Sequence, residues 1–257
     1  MKVTVCELSN DTAGFEQDWQ ELISHVKVET SDLVLLPEMP FYPWAAWCKQ
    51  KNNNTWKTAV EAHDQWMPRL AEFAPAAVVG TRPVIKDGGF FNEGFVWEPG
   101  TGYRSAHSKY YLPNEEGFWE ATWYERGTGE FALSQVNQIK IGFLICTELW
   151  FNAHARDYAK QGIHLLVCPR ATPGSTVDKW IAGGRTAAVV SGAFCLSANF
   201  GHSRTHNVQW GGTGWIIEPE EGNVLALTSP EQPFVTLDID INKADHAKQT
   251  YPRYVLD

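Results

Sequence analysis

No Cys-x-x-Cys pair, no uninterrupted apolar run near the ~18 residues of a membrane span and no block of Lys and Arg occurs in the 257 residues. Each absence excludes something. The five cysteines (Cys6, Cys48, Cys146, Cys168, Cys195) are odd in number and widely spaced. That pattern fits free thiols in a reducing compartment, the cytoplasm, better than a disulfide framework. No membrane partner is expected, and the opening residues 1–8 meet Glu7 too early for the apolar core of a leader peptide. With 21 basic and 30 acidic residues the formal net charge is −9, so nucleic acid is not expected as a partner either. The eight histidines include no His-x-His pair and are read as no metal site. Gly88-Gly89 and Gly211-Gly212 lack the context of a phosphate loop and read as turns. No repeat or Pro/Ser-rich linker divides the chain, which predicts one domain over residues 1–257.

What the chain has in quantity is aromatic side chains, 13% of residues including 12 Trp, enough for some to line a pocket as well as a core. Short apolar runs alternate with stretches of helical period. Strands are predicted at 2–7, 32–36, 76–81, 94–97, 103–107, 139–146, 163–168, 193–198, 214–218, 224–227 and 234–238. Helices are predicted at 15–28, 55–73, 151–161 and 181–191, with Gly162 stopping the third, and Pro99-Gly100 predicts a hairpin. Strands such as 33–36 and 165–167 show no polar alternation, as expected where two sheets pack on each other under covering helices.

Three of these strands end on a reactive side chain. Glu38 follows the second between Pro37 and Pro40, a stiff turn where burial can raise a carboxyl group into the range of a general base. Lys109 follows the strand at 103–107 and precedes Tyr110-Tyr111, placed to donate to a developing oxyanion. Cys146 ends the strand at 139–146, where a thiol can face a pocket and feel backbone dipoles. Each has a blander reading alone: a polar strand end, a snorkelling lysine, a small buried hydrophobe.

Together, the order Glu, Lys, Cys resembles the nitrilase (carbon–nitrogen hydrolase) superfamily over nearly the whole chain. The matching blocks are Leu35-Leu36-Pro37-Glu38, then His107-Ser108-Lys109-Tyr110-Tyr111-Leu112-Pro113, then Gly142-Phe143-Leu144-Ile145-Cys146-Thr147-Glu148-Leu149-Trp150-Phe151. The Gly-rich segment beginning Gly211-Gly212-Thr213-Gly214-Trp215 is the fourth. The resemblance implies an α/β fold, a four-layer α-β-β-α sandwich of two packed mixed sheets. It implies Cys146 as nucleophile, Glu38 as general base and Lys109, with a backbone N–H near Thr147, as holder of the tetrahedral intermediate. It implies no metal and no organic cofactor. A second glutamate is expected between the Lys and the Cys, either Glu120, in Glu120-Ala121-Thr122-Trp123-Tyr124, or Glu116, in Glu-Gly-Phe-Trp. It also implies a homo-oligomer, a dimer or higher, joined through the helix at 151–161 with help from residues 118–124.

Arg170 would suit a substrate carboxylate, or else a structural ion pair with Glu148 or another acid. Tyr42, Trp119 and Trp150, with Phe41 and Trp44, are candidates for an aromatic wall. The function expected is hydrolysis of a small carboxamide or N-carbamoyl compound through a thioester. A nitrile substrate stays open, because Glu148 fits a nitrilase-like Cys-Trp-Glu pattern while Thr147 departs from it. An isochorismatase-like hydrolase would need Asp where Glu38 stands, and a catalytically silent, partner-binding member of the same fold is the alternative of another class.

Overall fold

The computed structural model describes residues 1–201, 204–205 and 208–255. Its first strand, β1 (Lys2–Leu8), is buried from Val3 onward. Helix α1 (Thr12–Glu29) starts where the Asp11 side chain accepts from the Ala13 and Gly14 N–H groups. It buries Phe15, Trp19, Leu22, Ile23 and Val26, a 3.6-residue stripe, and ends on Thr30 in the left-handed region. Then come β2 (Leu33–Leu35) and α2 (Asn53–Trp66). The predicted helix 55–73 divides here: Pro68 cannot extend an α-helical ladder, and residues Met67–Phe73 continue as a 3-10 helix.

Strands β3 (Ala77–Lys86), β4 (Gly89–Glu98) and β5 (Gly102–Ser108) form long hairpins. After the short α3 (Glu120–Trp123) follow β6 (Ser134–Val136), β7 (Ile139–Phe143), α4 (Asn152–Gln161), β8 (Leu165–Pro169), α5 (Val177–Ser191) and β9 (Phe194–Phe200). A small ribbon, β10 (Arg204–Thr205) with β11 (Val208–Gln209), precedes β12 (Trp215–Ile217), β13 (Val224–Leu227), β14 (Phe234–Asp238) and α6 (Asn242–Ala247).

The main strands run in the order β5-β4-β3-β2-β1-β9-β8-β7-β6, with β14 on β1 and β12-β13 on β9. They form two sheets that meet where the C-terminal ends of β1 and β9 pair, Glu7 with Asn199 and Leu8 with Phe200. The sheets face each other closely enough that a Cβ on Gly94 of β4 would lie 2.9 Å from the Phe143 ring of β7. Helices α1 and α2 cover one sheet, α4 and α5 the other, which completes the four-layer α-β-β-α sandwich.

Strand direction positions the site. β1, β2 and β3 are mutually parallel in sequence of pairing, and β9, β8 and β7 continue parallel from β1. β4 is antiparallel to β3 and β5 to β4, so β5 again points the same way as β2. The C-terminal ends of β2, β5 and β7 therefore open toward one edge of the sandwich.

Candidate active site

Glu38 leaves β2 on a loop stitched to both sheets. Its N–H donates to the Arg170 carbonyl at 3.1 Å, and the Met39 N–H donates to Thr81 Oγ1 at 2.8 Å. Met39 sits at φ +46, a left-handed turn between two prolines that throws the Glu38 side chain inward. Lys109 follows β5, its N–H bonded to the Asn92 carbonyl of β4 at 2.9 Å.

Inside, Lys109 Nζ donates to Glu38 Oε1 at 2.7 Å and to Glu120 Oε2 at 2.6 Å, and all three side chains are buried. Asn92 Nδ2 donates to the same Glu38 oxygen at 2.7 Å, and the Tyr124 hydroxyl donates to Glu120 Oε2. Each carboxylate keeps one oxygen buried with no hydrogen-bond partner, Glu38 Oε2 and Glu120 Oε1. Orphaned acceptors in a dry interior are costly and can each accept a proton or an N–H.

The strand predicted to run to Cys146 stops at Phe143, the end of β7, and Cys146 instead opens a 3-10 turn spanning Cys146–Trp150. Its φ of +48 is left-handed, a conformation that costs a side-chain-bearing residue roughly 1–2 kcal/mol and is kept where the surroundings enforce it. Burial pushes the Cys146 thiol well above its ordinary range and Glu38 pushes it further, while Lys109 and the Ala171 N–H partly oppose. The resting sulfur is therefore protonated. Burial would pull the Lys109 ammonium down, but Glu120 and Glu38 outweigh it and hold the ammonium above its ordinary value. Glu120 is pushed up to about 7 by burial, against the pull of Lys109. A carboxylate beside a neutral thiol can take up its proton, and the charged lysine between the two carboxylates can hold an oxyanion, without calling on solvent.

Glu148 ties the two halves of this arrangement together. Fully buried, it faces His107 Nε2 at 2.9 and 3.0 Å and accepts from the N–H groups of Tyr110 (2.7 Å) and Ile145 (2.8 Å). One side chain thus anchors both the residue after Lys109 and the residue before Cys146. Glu148→Ala strands His107 and two backbone donors, at ~1–3 kcal/mol each, so urea unfolding should register a loss of at least ~3 kcal/mol. A loss below ~1 kcal/mol would remove Glu148 from this role.

A cavity of about 240 Å³ reaches down to Cys146 and Glu120. Thr147 and Trp150 line it, as the sequence suggested. Arg170, Tyr42 and Trp119 do not. Arg170 is fully buried, held by Ser197 Oγ (2.7 Å), Thr172 Oγ1 (2.7 Å) and the Thr213 carbonyl (2.6 Å), with its guanidinium 4.0 Å from the Trp215 ring centroid. Burial pulls it down to about 10. It braces the strand ends, and Glu148, the alternative partner that the sequence offered, faces His107 instead. Tyr42 lines a separate hollow with Phe15, Phe41 and Trp66 at the start of α1, and the half-buried Trp119 ring lies under Lys49. Phe41 and Trp44 belong to the core. Glu116, the other candidate for the second carboxylate, is exposed, whereas Glu120 is bonded to Lys109.

The sequence reading missed Lys179 and Trp180, which line the cavity because α5 begins at Val177 rather than 181. It also passed over the four-residue spacing of His202 and His206, which lie outside the described residues. Among the described residues no group of three His, Cys, Asp or Glu is arranged to hold a metal ion, and no helix is long and apolar enough to cross a membrane.

A family model described as carbon-nitrogen hydrolase matches residues 2–249. The chain is similar to nitrilase homolog 2 of Dictyostelium discoideum, 25% identical over 255 residues that cover 93% of this chain and 75% of that one. It is similar to omega-amidase NIT2 of Bos taurus, 28% identical over 198 residues covering 73% and 70%. A carbon-nitrogen hydrolase structure from Helicobacter pylori shares the fold, with a TM-score of 0.84 at 16% identity over 98% of this chain and 94% of that chain.

Proposed function

This chain belongs to the carbon–nitrogen hydrolase family, and from that premise we propose an amidase that hydrolyses a small carboxamide or N-carbamoyl compound through a thioester on Cys146. The observation that carries the proposal is the buried Glu38–Lys109–Glu120 bridge at the floor of a cavity shared with Cys146. The similarity to an omega-amidase favours an amide over a nitrile.

The chemistry follows from the orphaned oxygens. Glu120 Oε1 accepts a substrate amide N–H, which orients the carbonyl carbon toward Cys146. As the sulfur attacks, Glu38 Oε2 takes its proton, and the new oxyanion lies against Lys109 Nζ and the Thr147 N–H. Protonated Glu38 then gives that proton to the departing nitrogen, ammonia or an amine leaves, and a thioester remains. Glu38 next draws a proton from water, the hydroxide equivalent adds to the thioester, and the acid departs as sulfur recovers the proton. The free thiols suit a reducing compartment such as the cytoplasm. The family resemblance further suggests a dimer or larger assembly through α4, and a monomer by light scattering at micromolar concentration would contradict that.

The test is ammonia release from matched amide, ureido and nitrile compounds, with Cys146→Ala as control. Turnover of the nitrile alone would overturn the amidase reading, and a Cys146 inert to iodoacetamide in folded protein would favour a silent, partner-binding role. The pH dependence is a second check. Glu120 must be ionised to hold Lys109 and accept the amide, so kcat/KM should rise with pH along a limb near the value of about 7 set for that carboxyl. Glu120→Gln should displace that limb in the activity that remains. A profile flat through neutrality would contradict this assignment.

A further inference from the structure

Glu120 opens the single turn of α3 and Tyr124 closes it, the Tyr124 N–H donating to the Glu120 carbonyl at 2.9 Å. Four positions apart, the two side chains leave that turn on the same side, and the Tyr124 hydroxyl donates to Glu120 Oε2. The tyrosine ring is buried and clamped. Toward α2 it meets the Trp56 ring at 5.0 Å, and Trp56 stacks in turn on Phe90 of β4 at 5.7 Å and donates its indole N–H to the Val84 carbonyl of β3 at 3.3 Å. The Lys51 ammonium lies 4.4 Å from the Phe90 centroid. The hydroxyl is thereby aimed at one carboxylate, yet the amidase chemistry gives it no step.

The two oxygens of Glu120 are held unequally. Oε2 receives both Lys109 Nζ, at 2.6 Å, and the Tyr124 hydroxyl, while Oε1 is buried without a partner. The terminal torsion of a glutamate is broad and two-fold, so one ammonium fixes the carboxylate plane poorly and two converging donors fix it well. Oε1 is then the oxygen left for a substrate N–H in the cavity that Glu120 lines. It accepts only while the carboxyl is ionised. Burial first, and Glu38 with it, push Glu120 up to about 7 against the pull of Lys109 and Tyr124. Lys109 must also serve Glu38 and the oxyanion to come, whereas the Tyr124 O–H donates to Glu120 and to no other acceptor among the described residues. Burial, Glu120 and Glu38 hold that hydroxyl well above its ordinary value, with the Asn92 amide opposing, so it stays a donor at any working pH.

Resting on the amidase reading, we propose that Tyr124 is a positioning residue for the second carboxylate: its hydroxyl keeps Glu120 ionised and turned so that Oε1 is the oxygen that accepts the substrate N–H. As the oxyanion forms and draws on Lys109, the Tyr124 hydrogen bond keeps the carboxylate in place.

The experiment is an infrared pH titration of the Glu120 carboxyl, its C=O band identified by its loss in Glu120→Gln, in wild type and Tyr124→Phe. The pH profile of kcat/KM for propionamide is measured beside it. The wild-type midpoint should lie at about 7. Loss of one hydrogen bond to a charged group should raise it by about one unit or more in Tyr124→Phe. Then kcat/KM should fall roughly 10-fold at about pH 6 and much less at about pH 9. An unmoved midpoint, or a loss of kcat/KM that is uniform across pH, overturns the proposal. If wild type does not hydrolyse propionamide, that failure belongs to the amidase reading, and the infrared midpoints decide the role of Tyr124 separately. Should Tyr124→Phe not fold, 3-fluorotyrosine at position 124, a stronger acid and hence a stronger donor, decides it. A midpoint below that of wild type upholds the proposal, and an equal or higher one overturns it.

Discussion

Lys109→Met should cost both activity and stability, and the stability loss should depend on pH. The ammonium holds Glu38 and Glu120 together in a dry interior, and removing one partner of a buried ionic group typically costs ~3–5 kcal/mol. Activity should fall by about 10²–10³-fold or more, because the main counter-charge for the tetrahedral intermediate is gone. The sign of the pH effect follows from Glu120. Its carboxyl already stands at about 7 with Lys109 beside it, and loss of the cation raises it further. A carboxyl raised in the folded state adds no penalty below its unfolded value, near pH ~4.3, and an increasing one as pH climbs through the folded value. Urea unfolding of the variant against wild type should therefore show the smaller deficit at about pH 5 and the larger at about pH 9. A deficit independent of pH would mean that the two carboxylates are not confined as described.

Glu38→Gln should leave the fold nearly intact and remove most of the activity. The amide keeps an oxygen for Lys109 Nζ and Asn92 Nδ2, so the 2.7 Å contacts have a replacement acceptor. It cannot take a proton from a thiol that burial holds in its neutral form. Two effects oppose each other here. Losing the Glu38 charge relieves part of the upward push on Cys146, but it also removes the acceptor at Oε2. General-base assistance is worth ~10²–10⁴-fold, so the loss of the acceptor should win. Turnover and iodoacetamide labelling of Cys146 should both drop, with only a small change in unfolding midpoint. A variant keeping a tenth of wild-type turnover would take Glu38 out of the base role.

Much of this was legible in the sequence where the signal is local. The apolar runs behind β1, β8 and β13 are continuous or short and bounded by turn residues, and Pro99-Gly100 marks the β4–β5 hairpin. The ends of β2 and β5 pointed to Glu38 and Lys109 because a charged residue following a buried strand stands out in the pattern. Other features carry no such pattern. Cys146 continues the apolar run of β7, so periodicity extended the strand to it, and only the backbone reveals the left-handed turn. The hairpin from β3 to β4 is longer than its apolar stretch because Lys86 and Gly89 still pair beyond it. Arg170 looked like a ligand for an anion because Ser197 and Thr213, which occupy it, come from distant segments. The role of Glu148 depends on His107 and Tyr110, about forty positions earlier in the chain, which no local motif discloses.

The decisive measurement is the mass of Cys146 during turnover. Wild-type protein mixed with a saturating short amide and quenched in acid should carry, on the peptide containing Cys146, the mass of the substrate less ammonia, releasable by hydroxylamine as the hydroxamate. Cys146→Ala should carry nothing and release no ammonia. Turnover that proceeds without that adduct, or that survives in Cys146→Ala, would contradict a thioester route and remove the reason for the buried bridge beside the sulfur.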